Sequence, residues 1–231
     1  MEALKNMKKS KKKKLEIEEQ TGMYIHVGLP KTGTSFLQKE VFPKIKEIDY
    51  FGKEQIITAN MKKNKKNLYS DEGLSSINIE GENIYKIVER IQKIYPKAKI
   101  IITLRKKEEW KKSYYNQTIK KIRKNGEDTL SYAEWEKKVF PRKNIDYEIY
   151  VAHLKKLFDD VLVLDYELLK KNPKAYVKKI CDFMGIKMPP FKNKVVNKSL
   201  KNKQLKLLNW VRKIKIKTAY NITKTILGKI N

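Results

Sequence analysis

The sequence predicts a three-layer α/β/α fold with a mostly parallel central sheet. Three observations predict it. Short runs of strand-forming residues alternate with helical periodicities along the 231-residue chain. Two of those runs, 99–104 and 161–164, are apolar almost throughout, as strands covered on both faces are. A turn bounded by Gly28 and Gly33 joins the first strand to the first helix.

Taken in order, residues 1–20 read as a Lys-rich arm. Met23-Tyr24-Ile25-His26-Val27-Gly28 is rich in strand formers. From Thr34 to about Ile48 the stripe Phe36, Leu37, Val41 and Ile45 predicts a helix, which Pro43 ends or kinks. Short strands are expected at 49–52 and 67–71, separated by a charged loop at 62–66. Ile84, Ile87, Val88, Ile91 and Ile94 line one side of a helix over 83–95, which Pro96 stops. The strand at 99–104 leads into a long helix over 107–124, ended by Gly126. A helix over 131–140 carries a capping box, Ser131 with Glu134. A further helix at 145–158, the strand at 161–164 and a helix at 173–185 follow, with Gly185 as the stop signal. Residues 200–228 form a basic tail with Leu205, Leu208, Val211, Ile214 and Ile216. The expected domains are therefore an arm (1–20), one α/β domain (21–199) and an amphipathic helical tail (200–231).

The formal net charge is +28, and only five of the 54 basic residues are arginine. Such a balance attracts polyanions: nucleic acid, anionic lipid or acidic glycans. Lys is spread along the chain beside abundant Ile and Asn, the pattern of a solvated surface, so no specific nucleic-acid partner is expected. Contact with an anionic membrane surface through the basic ends is compatible with it. Cys181 is the only cysteine, which excludes an intramolecular disulfide and a Cys-based metal site. It reads as a buried thiol. The basic residues 1–14 are followed by a mixed, acidic stretch rather than an apolar core, and no run of 18 apolar residues occurs, so neither a signal peptide nor a transmembrane helix is expected. The expected location is cytoplasmic, with peripheral membrane contact.

Gly28-Leu29-Pro30-Lys31-Thr32-Gly33-Thr34-Ser35 has the spacing of a phosphate-binding loop, whose backbone N–H groups and following helix favour an anion. A nucleoside-triphosphate loop needs Lys directly after the second glycine. Here Thr34 stands there and the lysine is Lys31, inside the turn. That disfavours metal–ATP chemistry. Lys31 can still reach a phosphate, with Thr32, Thr34 and Ser35 as hydroxyl donors.

The stretch Pro30-Lys31-Thr32-Gly33-Thr34-Ser35 resembles the 5′-phosphosulfate loop of sulfotransferases that use 3′-phosphoadenylyl sulfate (PAPS). The longer stretch from Ile25 to Gln38 is especially similar to bacterial members acting on glycans. The resemblance implies a P-loop NTPase-like sulfotransferase fold, PAPS as donor, adenosine 3′,5′-bisphosphate as product, no metal, and a glycan or glycolipid acceptor. A second block, Ile100-Ile101-Ile102-Thr103-Leu104-Arg105, ends a buried strand with an arginine, and Ser113 follows eight residues on. In the family an Arg and a Ser at this spacing bind the donor's 3′-phosphate, a task suited to a guanidinium at the carboxyl edge of a parallel sheet. Trp110 and Tyr114 fit the family's aromatic pattern and read as core. The third block, Val161-Leu162-Val163-Leu164-Asp165-Tyr166-Glu167, reads as scaffold, and Lys198 resembles a residue of the last donor-contacting loop.

Sulfuryl transfer requires an acceptor proton to be taken by a base. Glu72, in Tyr69-Ser70-Asp71-Glu72-Gly73, resembles the Ser-x-Glu turn of the bacterial enzymes and is the expected base. Asp71 and His26 are the alternatives, with His26 read as structural. Lys31 is expected to stabilise charge on the leaving phosphate. Two other functions remain open at this point: a P-loop nucleotide or metabolite kinase, and a non-catalytic protein that binds polyanions or membrane surfaces.

Overall fold

A computed structural model describes residues 22–52, 65–75, 84–124, 130–138 and 146–192. These fall into two units, one holding 22–110 and 146–192, the other 111–138. The arm, the tail and Lys198 lie outside the described residues.

Five strands form one sheet: β1 (Met23–Val27), β2 (Ile48–Phe51), β3 (Lys66–Asp71), β4 (Lys99–Leu104) and β5 (Val161–Asp165). Their order is β2-β3-β1-β4-β5, and every pairing is parallel. The sheet predicted from the alternation of strands and helices is thus realised, with β1 at its centre. The period of two along each strand sorts side chains onto two cores. Met23, Ile25, Val27, Tyr69, Ile100 and Ile102 face one side; Tyr24, Leu68, Ile101 and Leu164 face the other.

The first side is covered by α2 (Ile84–Ile94) and α5 (Tyr147–Leu157). The second is covered by α1 (34–44), α6 (Tyr166–Lys171) and α7 (Pro173–Met184). Ile100, Ile101 and Ile102 are all fully buried. That explains why 99–104 shows no polar alternation. The other helices are α3 (Lys107–Lys124) and α4 (Tyr132–Lys138). In the second unit Tyr115, Tyr132 and Trp135 pack with ring centroids 5.2–6.0 Å apart. The Ser131 capping box forms as expected: Ser131 N–H donates to Glu134 at 2.7 Å, and Glu134 N–H donates to Ser131 Oγ at 3.3 Å.

The first helix departs from expectation. Instead of one helix from 34 to about 48, α1 (34–44) is a single α-turn at Thr34–Phe36, a π-helical stretch at Leu37–Val41 and a 3₁₀ turn at Phe42–Lys44. The Phe42 N–H reaches back five residues to the Leu37 carbonyl. This wider turn lets Leu37, Val41 and Phe42 all enter the core, where none is exposed. Pro43 brings no donor N–H, the helix ends at Lys44, and β2 begins at Ile48. A short helix that the sequence reading did not separate, α6, starts where the Asp165 carboxylate accepts the Glu167 N–H at 2.9 Å. Asp165 is therefore a helix cap. Asn172 caps α7 in the same way, and Gly185 closes it at φ 59°. Lys66 Nζ donates to the carbonyls of Met184 and Gly185, each at 2.7 Å, tying the start of β3 to the end of α7. No described helix is long and apolar enough to cross a membrane.

Gly33 opens α1 with φ 93°, and a β-carbon there would lie 2.3 Å from Leu169 Cδ2. Gly33→Ala is therefore expected to lower unfolding stability by at least about 1–2 kcal/mol, the cost of a left-handed non-glycine residue. Urea denaturation of the purified variant measures this, and a loss within error of zero would contradict it.

Candidate active site

The parallel register brings the carboxyl ends of four strands to one edge. Val27 pairs with Asp71 and Ile102, and Leu104 pairs with Asp165. The residues just beyond those ends are the glycine turn, Glu72, Arg105 and Tyr166. This is where a doubly wound sheet presents its ligand site.

The turn is defined by where its carbonyls go. Ser75 Oγ donates to the Gly28 carbonyl. Thr32 Oγ1 donates to the Leu29 carbonyl at 2.6 Å, and Thr34 Oγ1 lies 3.4 Å from the same oxygen. Trp110 Nε1 donates to the Pro30 carbonyl at 2.7 Å. Arg105 Nη1 donates to the Lys31 carbonyl at 3.0 Å. Four successive carbonyls are thus held by side chains. In a trans peptide the N–H points opposite to the C=O, and no described peptide is cis, so fixing the Gly28, Pro30 and Lys31 oxygens aims the N–H groups of Leu29, Lys31 and Thr32 the other way, while Pro30 has no N–H to place. Lys31 itself has φ 66°, the one positive φ among the described non-glycine residues. Gly28 is required for closeness rather than for φ: a β-carbon there would meet the Thr34 side chain at 2.7–2.8 Å.

Arg105 leaves the end of β4 with only 15% of its side chain exposed. Its guanidinium carbon lies 4.5 Å from the Tyr166 ring centroid, and Nη2 is 3.5 Å from Glu109. Its Nε is buried with no hydrogen-bond partner. A buried guanidinium with an unsatisfied N–H, beside a turn whose Gly28 to Lys31 carbonyls are held, fits an anion better than any neutral group. The strand-end arginine and the glycine turn therefore occupy one place.

The sulfotransferase-domain family matches residues 23–224. The chain belongs to the sulfotransferase family. A sulfotransferase structure from Alicyclobacillus acidocaldarius shares the fold with a TM-score of 0.53 and 16% identity, over 83% of this chain and 91% of that one. Mouse sulfotransferase SULT7A1, complexed with PAP, gives a TM-score of 0.49 and 17% identity, over 83% of this chain and 64% of that one. No curated protein matches the sequence.

In this sulfotransferase Glu72 is half-buried and begins the 3₁₀ turn Glu72–Ser75 directly after β3. Ser75, in the same turn, is the donor to Gly28, so the 3₁₀ turn that carries Glu72 is hydrogen-bonded to the glycine turn. Asp71 is committed locally. Its carboxylate accepts the Gly73 N–H at 2.7 Å and the Tyr69 hydroxyl at 3.1 Å. Burial first, and then the Asp71 charge, raise the Tyr69 pKa, which keeps that hydroxyl a donor.

His26 lies in the centre of the sheet, fully buried. Its Nδ1 is 2.7 Å from Ser70 Oγ, which also receives Gln38 Nε2 at 3.1 Å. Its ring stands edge-on to Phe42 at 5.5 Å. The structural reading of His26 holds. His153 lies 3.5 Å from Glu89 and edge-on to Tyr85.

The remaining expected residues divide. Pro30, Lys31 and Ser35 are half-buried at the turn, whereas Thr32 and Thr34 are buried with their hydroxyls directed at Leu29. Ser113 is buried on α3 in the second unit. The anion attraction expected from a long first helix is reduced to one α-turn, leaving the local amides as the main contribution. Sequence reasoning missed the roles of Trp110, Ser75 and Tyr166. The first was read as core and the last as scaffold, and no spacing rule marks a side chain that serves a carbonyl 80 residues away.

Burial lowers the His26 pKa to about 4. Its folded value lies below the unfolded one, so the unfolded chain binds the extra proton. Its contribution is complete above about pH 6.5 and is lost as pH falls toward 4, on the order of 3 kcal/mol in total. Urea unfolding of wild type and His26→Gln from pH 7 to 4 is expected to show a steeper loss in the wild type. Parallel curves would contradict a buried neutral imidazole.

Proposed function

We propose that this sulfotransferase moves a sulfuryl group from PAPS to a hydroxyl or amine of a glycan or glycolipid, releasing adenosine 3′,5′-bisphosphate. The observation that carries this reading is the 3.0 Å hydrogen bond between Arg105 and the Lys31 carbonyl. It supports a single site in which the turn receives the donor's 5′-phosphosulfate and Arg105 its 3′-phosphate. Ser113 and Lys198 are proposed to assist Arg105. The basic ends, which carry much of the chain's charge, are proposed to hold the enzyme near anionic surfaces.

The donor supplies an activated sulfur–oxygen bond. In the proposed reaction the Glu72 carboxylate accepts the acceptor's proton as its oxygen or nitrogen bonds to sulfur. The bridging S–O bond breaks, and its electron pair goes to the 5′-phosphate. Lys31 Nζ and the turn amides stabilise the charge that gathers there, in a geometry set before the reaction begins. No covalent enzyme intermediate is needed.

Calorimetric titration with adenosine 3′,5′-bisphosphate tests the site. Wild type is expected to bind without added magnesium, and Lys31→Ala and Arg105→Ala are each expected to weaken binding on the order of tenfold to a hundredfold, as for charged hydrogen bonds. No binding by the wild type would sink the donor assignment. With an acceptor identified by transfer from labelled PAPS, Glu72→Gln is expected to lower kcat by about 10²–10⁴ while leaving bisphosphate affinity unchanged. Undiminished turnover would remove Glu72 as the base.

A further inference from the structure

Trp110 is fully buried near the start of α3, and its ring stands edge-on to Tyr147 with centroids 6.3 Å apart. A core tryptophan needs a partner for its indole N–H. The partner here is neither helical nor local. It is the Pro30 carbonyl, 80 residues away, at 2.7 Å.

That carbonyl belongs to the peptide directly before Lys31, the residue at φ 66°. A side-chain-bearing residue persists in the left-handed region only where its surroundings hold it. Two hydrogen bonds, one on each flanking peptide, contribute to that hold: Trp110 on the Pro30 carbonyl and Arg105 on the Lys31 carbonyl. Pro30 stiffens the same point by fixing its own φ. Of the two braces, Arg105 keeps 15% of its side chain exposed and has an unsatisfied Nε, whereas Trp110 is sealed.

We propose that Trp110 is a positioning residue of the phosphate turn: its indole N–H, by holding the Pro30 carbonyl, keeps Lys31 and the amide that follows Pro30 in the geometry that receives the donor's 5′-phosphate. This rests on the donor reading above. Trp110 acts through the backbone of Lys31.

The test compares two ligands on the full chain. Adenosine 3′,5′-bisphosphate carries the 5′-phosphate that the turn receives; adenosine 3′-monophosphate lacks it. Trp110→Phe keeps an aromatic ring and removes the N–H. It is expected to weaken the bisphosphate about five- to tenfold, the value of one hydrogen bond, and to leave the monophosphate unchanged. Equal weakening of both ligands by Trp110→Phe would mean a packing role and overturn the proposal, as would no weakening of either. Should Trp110→Phe not fold, the assigned indole ¹H–¹⁵N resonance of Trp110 in the wild type decides: it is expected to shift with the bisphosphate and stay in place with the monophosphate, and the absence of that difference would overturn the proposal. A wild type that binds the monophosphate but not the bisphosphate would sink the 5′-phosphate assignment and this inference with it, whereas a wild type that binds both with an unaffected Trp110→Phe would sink this inference alone.

Discussion

The Gly28 to Lys31 carbonyls are each held by a side-chain donor, and the rest of the candidate site depends on that constraint. A tight turn next to a bound anion has two kinds of backbone group to place. Carbonyl oxygens repel the anion and amides attract it. Here the oxygens are taken up by donors from three directions: the 3₁₀ turn after β3, the turn itself, and the end of β4 with the start of α3. Each donor is itself buried or nearly so, which makes each bond costly to break.

The same constraint links the parts of the reaction. Ser75 shares its turn with Glu72, so the expected proton acceptor is set relative to the glycine turn through a hydrogen bond rather than through loop packing alone. Arg105 reaches the Lys31 carbonyl from the neighbouring strand and rests on Tyr166 from the strand beyond that. Three parallel strands and the segments after them thus converge on one turn. The sheet order, with β1 between β3 and β4, makes this convergence possible.

Beneath the turn the polar group at the sheet centre is neutral. His26 is held by Ser70, and Gln38 from α1 joins the same hydroxyl. This ties the irregular first helix to β3, the strand that leads to Glu72. The π-helical stretch of α1 belongs to the same economy of space, because it turns three successive core contacts inward over a short length.

Much of this was legible in the sequence. The apolar run at 99–104, the Gly28–Gly33 spacing, the Ser131–Glu134 capping box and the stop at Gly185 are local patterns, and local patterns follow from backbone sterics and from which faces must be buried. The position of Arg105 directly after a strand was legible too, from the apolar run that precedes it. The sequence by itself therefore determined the layers, the glycine turn after β1 and the strand end that carries Arg105. Only the tertiary structure decided which donors hold the carbonyls of that turn. Trp110 and Pro30, or Ser75 and Gly28, meet because of strand order and register, and no periodicity encodes a hydrogen bond between residues 80 or 47 positions apart.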